Sequence, residues 1–387
     1  MKIGLVTGEY PPMKGGVGDY TRSIAVYLRE RGHSVRVITD QRCIQPNINS
    51  GAPHVYALVS GRWSWMDLWR VRRASTDLDI VNIQYQAAAY GGMRPPVHFL
   101  PQITVPPTAV TFHDLLPPYL FPKAGWLRER AIWGLSRGAA GVVLTNAEDY
   151  LRCRAQEGHP PLAEVPIGSN IPCAPPDTFS ALAWRVARGI DAADEFLLGY
   201  FGFMSASKGV ETLMYVVAAL HAAGLPVRLV LIGDQSGSSD STNTAYAKSA
   251  NNLAKELGID SHILHTGYLS LTEASAAILS CDLMVMPYRD GVSFRRGSFL
   301  ACLAHGRATV TTRPAVRLAG LRDRENVILT RPETGAIVTA VQELHSNPAL
   351  RKNIETGALR LSTQFEWPHI AERLETFFVE VLNRYKD

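Results

Sequence analysis

An acid, two adjacent arginines and a run of small residues follow one another in residues 286–306, MPYRDGVSFRRGSFLACLAHG. Residues 282–286 (DLMVM) read as a buried parallel strand that Pro287 stops, 288–296 as a polar loop, and 297–305 as a helix closed by Gly306. A strand, a loop and a helix start in that order aim unpaired backbone N–H groups and the positive end of the helix dipole at one point, which attracts phosphate. Arg295 and Arg296 add fixed charge there, and Asp290 adds an acceptor for hydroxyls or a cation. Taken alone, an arginine pair at such a junction equally fits plain solvated surface.

The elements around that stretch decide between these readings. Residues 2–7 read as a first strand, 8–18 (GEYPPMKGGVG) as a Gly- and Pro-rich loop, and 35–39 as a second strand. Between them Ile24, Tyr27 and Leu28 keep helical spacing up to Gly32, behind a cap at Asp19 or Thr21, which makes a βαβ unit. Further strands at 80–84, 108–111 and 141–144, with a helix over 125–136, predict an open parallel sheet with helices on both faces. Ligands of such sheets bind at the carboxyl ends of the strands, where Gly15 and Gly16, Gln84, Tyr85 and Gln86, His113 and Asp114, and Asn146 fall. A lone histidine at a strand end can simply satisfy backbone groups; the His-Asp pair directly after VTF favours the ligand-facing reading. Gln84, Tyr85 and Gln86 suit a polyhydroxylated ligand, the alternative being an ordinary loop packed on residues 63–69.

Residues 166–176, PIGSNIPCAPP, read as a linker. A second alternating pattern follows, with strands expected at 196–202, 227–233, 263–266, 283–286 and 308–312 and a final helix at 370–384. Two α/β domains are therefore expected, 1–172 and 173–369, and 387 residues suffice for two cores.

Composition excludes several classes. The net charge is only +4, and the excess of about five basic residues up to residue 172 is too scattered for nucleic acid. Five cysteines, at 43, 153, 173, 281 and 302, form neither a paired framework nor a metal-finger spacing, which points to a reducing cytoplasm. No run is long enough to span a bilayer, so any membrane contact is expected to be peripheral. Residues 115–137 set Tyr119, Phe121, Trp126 and Trp133 among Lys123, Arg128, Arg130 and Arg137. That mixture suits headgroup depth, and it equally suits an amphipathic helix with its rings in the core. The glycines do not match G-x-G-x-x-G and only Asp40 comes near the acid position of a dinucleotide fold, so a nicotinamide enzyme is poorly supported.

From GEYPPMKGGVGDYTRSIAVYLRERGHSVRVIT through VTFHD, VLTNAEDY, VPIGSNIP, GYFGFMSASKGVETL, LVLIGDQ, HTGYLS, CDLMVMPYRDG and LACLAHGRATVTT to FEWPHIAERLETF, the chain resembles glycosyltransferase family 4. The resemblance implies the GT-B fold, two doubly wound Rossmann-like domains facing a central cleft, with the helix at about 370–387 packed back on the first. It implies a retaining enzyme that moves a sugar from a nucleoside diphosphate sugar, UDP ranked before GDP, to a hydroxyl of a glycan, a lipid-linked or a small-molecule acceptor. Neither a metal nor a resident cofactor is implied, and the D-x-D of Asp77 and Asp79 reads as structural. The rival readings within this resemblance are a nucleotide-sugar epimerase or hydrolase and a binding protein without turnover. Many members modify lipid-linked acceptors, which would place the protein at the inner face of the membrane.

The family's roles carry over position by position. Lys208, in SASKG, matches the lysine of the donor diphosphate; Phe203 stands where the family has an arginine. Asp290 stands at the first position of the Glu-x7-Glu motif and Ser298 at the second, although counting back from Gly306 puts Ala301 there. Arg295 or Arg296 is expected to restore the charge lost at Phe203, with Gly297 and Ser298 beside the donor. His113 and Asp290 would hold sugar hydroxyls, and backbone N–H groups of Gly15 and Gly16 would assist the diphosphate. Backbone around Gly233 and Asp234, and around Gly267, Tyr268 and Leu269, would take the base. Gln84, Tyr85, Gln86 and Asp114 would face the acceptor. With no carboxylate placed as nucleophile, front-face attack guided by the leaving phosphate is expected.

Overall fold

The computed structural model describes residues 1–13, 15–43, 53–61, 63–115, 125–169, 171–191, 195–233 and 241–386. The chain divides into two units, Met1–Gly168 with Glu366–Asp387, and Ser169–Phe365. The crossings lie at 168/169 and 365/366, against 172/173 and 369/370 read from the sequence.

In the first unit the strands are β1 (Lys2–Thr7), β2 (Ser34–Asp40), β3 (His54–Val59), β4 (Ile80–Tyr85), β5 (Thr108–Phe112), β6 (Gly141–Leu144) and β7 (Leu162–Glu164). Among the described residues they form one parallel sheet in the order β3-β2-β1-β4-β5-β6-β7. Successive side chains alternate between faces, and both faces are covered, so β1 sends Ile3 and Leu5 into one apolar cluster and Val6 into the other. That is why its sequence is a continuous apolar run. The C-terminal helix Trp367–Lys386 belongs to this unit and buries Ile370, Leu374, Phe377 and Phe378 with Ile24 and Leu28 of helix Gly16–Glu30.

The second unit repeats the plan with β8 (Phe196–Phe201), β9 (Val227–Ile232), β10 (Ile263–His265), β11 (Leu283–Met286), β12 (Thr309–Thr312) and β13 (Ile328–Thr330), parallel and ordered β10-β9-β8-β11-β12-β13. Helix Val210–Ala222 buries Leu213, Met214, Val216, Val217 and Leu220. Helix Leu271–Ser280 opens on a capping box in which the Glu273 carboxylate accepts from Ser270 N–H at 2.8 Å. Strands β3, β7 and β13 were not expected from sequence. They are edge strands, the last two only three residues long, and β3 and β7 are half-exposed, so they lack the apolar run that marks a central strand.

In both sheets the order reverses direction at the first strand, between β1 and β4 and between β8 and β11. Those are the points where strand carboxyl ends leave a crevice for ligands.

Candidate active site

In the second unit β8 ends at Phe201, and Gly202 just after it holds φ +113. A short turn, Ala206–Lys208, and Gly209 at φ +68 lead into helix Val210–Ala222. Lys208 folds back over the strand end: a Cβ on Gly202 would lie 3.1 Å from Lys208 Nζ and 4.0 Å from Ser298 Oγ. The absent side chain at Gly202 therefore leaves room beside both the ammonium and the Ser298 side chain. No carboxylate pairs with Lys208 among the described residues. Burial, reinforced by the nearby Arg296 guanidinium, lowers its pKa from 10.5 to about 8.

Strand β11 supplies the other side. Pro287 ends it, and Tyr288 is fully buried with its Oη 2.9 Å from Ser298 Oγ. The Arg296 guanidinium lies 4.2 Å from the centroid of the Tyr288 ring and pairs with Asp290. Arg296 is also the residue before helix Gly297–Ala304, whose N-terminus has no side-chain cap. Gly297 has nothing within 4 Å of the place a Cβ would occupy. Two cations, one hydroxyl and uncapped helix N–H groups thus gather at the switch point, and Asp290 balances only one of the charges. Such a set binds an anion with several oxygens, a diphosphate above all.

The expected residues are distributed as follows. Of the two arginines, it is Arg296 that acts on Lys208; Arg295 precedes it and is partly buried. Asp290, expected to hold sugar hydroxyls, is the counter-ion of Arg296. Ser298, expected at a ribose, has its hydroxyl held by Tyr288, with its side chain beside Gly202. Phe203 is exposed, with its ring 5.9 Å from Lys208 Nζ, and offers a π face where a second cation was missing. Gly233 and Gly267 form an isolated bridge beside Gly202, Gly233 N–H donating to Thr266 Oγ1 at 3.0 Å. Next to this glycine rim Leu269 is partly buried and Tyr268 is 80% exposed. Asp234 lies outside the described residues.

The first unit corrects two expectations, those for Gln84 and Tyr85, and fills part of a helix start. At the start of helix Gly16–Glu30 the Glu9 carboxylate accepts from the N–H groups of Val17 at 3.0 Å and Gly18 at 3.2 Å, next to the Gly15 and Gly16 N–H groups expected at a diphosphate. A Cβ on Gly15 would stand 2.1 Å from Glu9 Oε1, and burial raises the Glu9 pKa. Gln84 does not face an acceptor: it is fully buried, its Nε2 donates to Asn82 Oδ1, and its Oε1 accepts from His113 Nε2 at 2.8 Å. Tyr85 is a core residue, its Oη 2.7 Å from His98 and its ring packed on Tyr90 and Phe112. Gln86 and Asp114 remain at the strand ends, partly buried, and Gly16 opens its helix exposed. The paired acids Asp77 and Asp79 are used by Arg36 at 2.8 Å and by Lys2 N–H at 2.7 Å.

His113 stands at the end of β5 against the edge of Tyr20, ring centroids 4.7 Å apart. Burial pulls its pKa down to about 3, so it is a neutral imidazole with the proton on Nε2, fixed by Gln84 and, behind it, by Asn82 and Thr111 at 3.0 Å. Replacing Gln84 with glutamate sets a carboxylate against that N–H. The His113 pKa is then expected to rise by about 1–3 units, read by histidine NMR titration. An unchanged titration would show that Gln84 does not govern this imidazole.

Sequence reasoning passed over Tyr288, Gly209 and Glu9. A tyrosine directly after the strand-ending proline, and a glycine directly after the site lysine, were the available signals.

Residues 15–168 match the family described as glycosyl transferase 4-like domain, and residues 195–347 match glycosyl transferases group 1. No curated protein matches the chain in sequence. Among solved structures, sucrose-phosphate synthase from Thermosynechococcus elongatus superposes with a TM-score of 0.77 at 18% identity, over 99% of this chain and 100% of that one. HepE from Anabaena in complex with UDP superposes with a TM-score of 0.74 at 16% identity, over 98% and 100%. A glycosyltransferase from Rickettsia africae gives 0.72 at 14% identity, over 98% of each chain. At these identities the likeness is one of fold.

Proposed function

Because the chain belongs to the family 4-like, group 1 glycosyltransferases with the GT-B fold, its two units matching one domain description each, we propose that its donor is a nucleoside diphosphate sugar and that it retains the anomeric configuration. The observation that carries this reading is the pair Lys208 and Arg296, two adjacent cations at the β8/β11 switch point with a single carboxylate between them. UDP ranks before GDP, in keeping with the Anabaena HepE structures, which hold UDP and UDP-glucose.

In this mechanism the bond between the anomeric carbon and the diphosphate oxygen breaks while an acceptor hydroxyl forms the new bond on the same face, its proton passing to the departing phosphate. Negative charge grows on that phosphate, and Lys208, Arg296 and the N–H groups at Gly297 and Ser298 stabilise it more in the transition state than in the ground state. Tyr288 holds Arg296 and Ser298 in place. Neutral His113, in the first unit, is suited to hydrogen-bond an uncharged sugar hydroxyl without adding charge. The glycine rim at 233 and 267 offers backbone groups to a base, with Tyr268 as an exposed ring beside it. The acceptor is a hydroxyl of a glycan, a lipid-linked or a small-molecule substrate. No helix among the described residues is long and apolar enough to cross a membrane. Five cysteines, all free, favour a reducing cytoplasm.

Thermal unfolding with added nucleotides tests the donor reading, since a ligand of the folded state raises the midpoint by mass action. UDP is expected to raise it more than UMP. The gain should be full near pH 7 and shrink above about pH 8, because Lys208 loses its proton there in the free protein and the anion must then bring the proton back. The same depressed pKa makes the empty protein gain stability as pH rises from about 8 toward 10.5, so the two trends oppose. Midpoints unmoved by any nucleoside diphosphate would refute the assignment.

A further inference from the structure

The helix Trp65–Ala74 is short and strongly two-sided. Leu68 and Val71 enter the core of the first unit, while Trp65, Met66 and Trp69 are 56%, 70% and 65% exposed. At about 100° per residue these three side chains share an arc of about 140° with Arg70 and Arg73, opposite the buried pair. Phe99, 48% exposed, extends the patch, its ring 5.2 Å from that of Trp65. The acid of this helix, Asp67, is buried; its carboxylate accepts from Ser64 N–H at 2.8 Å and pairs with Arg70 at 2.8 Å. The Arg72 guanidinium lies 5.9 Å from the Trp69 ring, and Arg73 is exposed with no acid partner among the described residues. The outward face is therefore aromatic, apolar and cationic.

We propose that this face docks the protein on a bilayer carrying anionic lipid. Indole rings combine apolar area with one N–H donor and settle at headgroup depth, and arginines beside them pair with lipid phosphates. A protein partner would leave the arginines in need of matching acids at a drier surface, whereas an anionic bilayer offers both the apolar depth and the charge in one layer. The location differs from residues 115–137: Trp133 there is buried in the core, 6.0 Å from the Arg152 guanidinium, and Tyr119, Phe121 and Lys123 lie outside the described residues, as do the side chains of Trp126 and Arg128. The proposal does not depend on which sugar or nucleotide is used.

Cosedimentation of the full chain tests it, with vesicles of phosphatidylcholine alone and of phosphatidylcholine mixed with phosphatidylglycerol. The chain should pellet with the mixed vesicles, weakly with the neutral ones, and less as salt rises. The double variant Trp65→Ser with Trp69→Ser should bind the mixed vesicles about tenfold more weakly or worse, and Arg73→Gln a few-fold more weakly with a flatter salt dependence. Because these side chains are exposed, the thermal midpoint of each variant should match the parent, which separates lost docking from lost folding. Pelleting that survives the double variant, or no pelleting of the parent, overturns the proposal. So does a lipid-free dimer in sedimentation velocity that the double variant abolishes, since the face would then cover a second copy.

Discussion

Replacing Lys208 with alanine is expected to lower sugar transfer by about a hundred- to a thousand-fold, on the order of 2–4 kcal/mol of transition-state stabilisation, with the fold retained. The ammonium is held at a strand end with no carboxylate to neutralise it, beside a second cation that already lowers its pKa. A charge kept in that position is costly to the empty protein and becomes favourable when an anion arrives. Its removal should leave stability unchanged or slightly higher, so the loss of transfer cannot be ascribed to unfolding. Lys208→Arg, which keeps the charge on a longer planar group, should recover part of the rate. Turnover near that of the parent at saturating donor would remove Lys208 from the site.

Gly209→Ala should be the most destabilising single exchange near the site, by about 2–5 kcal/mol, read as the denaturation midpoint. Gly209 holds φ +68, and a Cβ there would stand 2.0 Å from the Pro287 carbonyl oxygen, which is backbone at the exit of β11. The turn carrying Lys208 and the end of β11 are thus in direct contact, and neither can yield without shifting the other. Gly224→Ala is the control, because Gly224 holds φ +77 with nothing within 4 Å and bears only the backbone term, about 1–2 kcal/mol. Equal effects of the two exchanges would show that the contact with Pro287 does not brace the site.

The strand-helix alternation was legible because a parallel sheet covered on both faces writes its central strands as continuous apolar runs, as in IGLV of β1, LLGYF of β8 and LMVM of β11. Lys208 was singled out through the family resemblance, as the lysine of SASKG, and not by its local pattern. The chain also carried the family resemblance along its length. Side-chain direction was not written. That Arg296 acts on Lys208 follows from the Tyr288 ring beneath its guanidinium, ten residues from the Ser298 that shares the tyrosine's hydroxyl. Gln84 was read as facing a ligand, yet at a strand end one polar residue can point along the sheet, where Asn82 of its own strand, held by Thr111 of the next, and His113 just past that strand receive it. Glu9 takes the Val17 and Gly18 N–H groups at the start of helix Gly16–Glu30, which the Gly-Gly pair alone gave no sign of. The segments 63–73 and 115–137 both mix aromatic rings with arginines. Only packing decided that Trp133 is core while Trp65 and Trp69 meet solvent, because which face of an amphipathic helix is covered depends on the elements that tertiary structure brings against it.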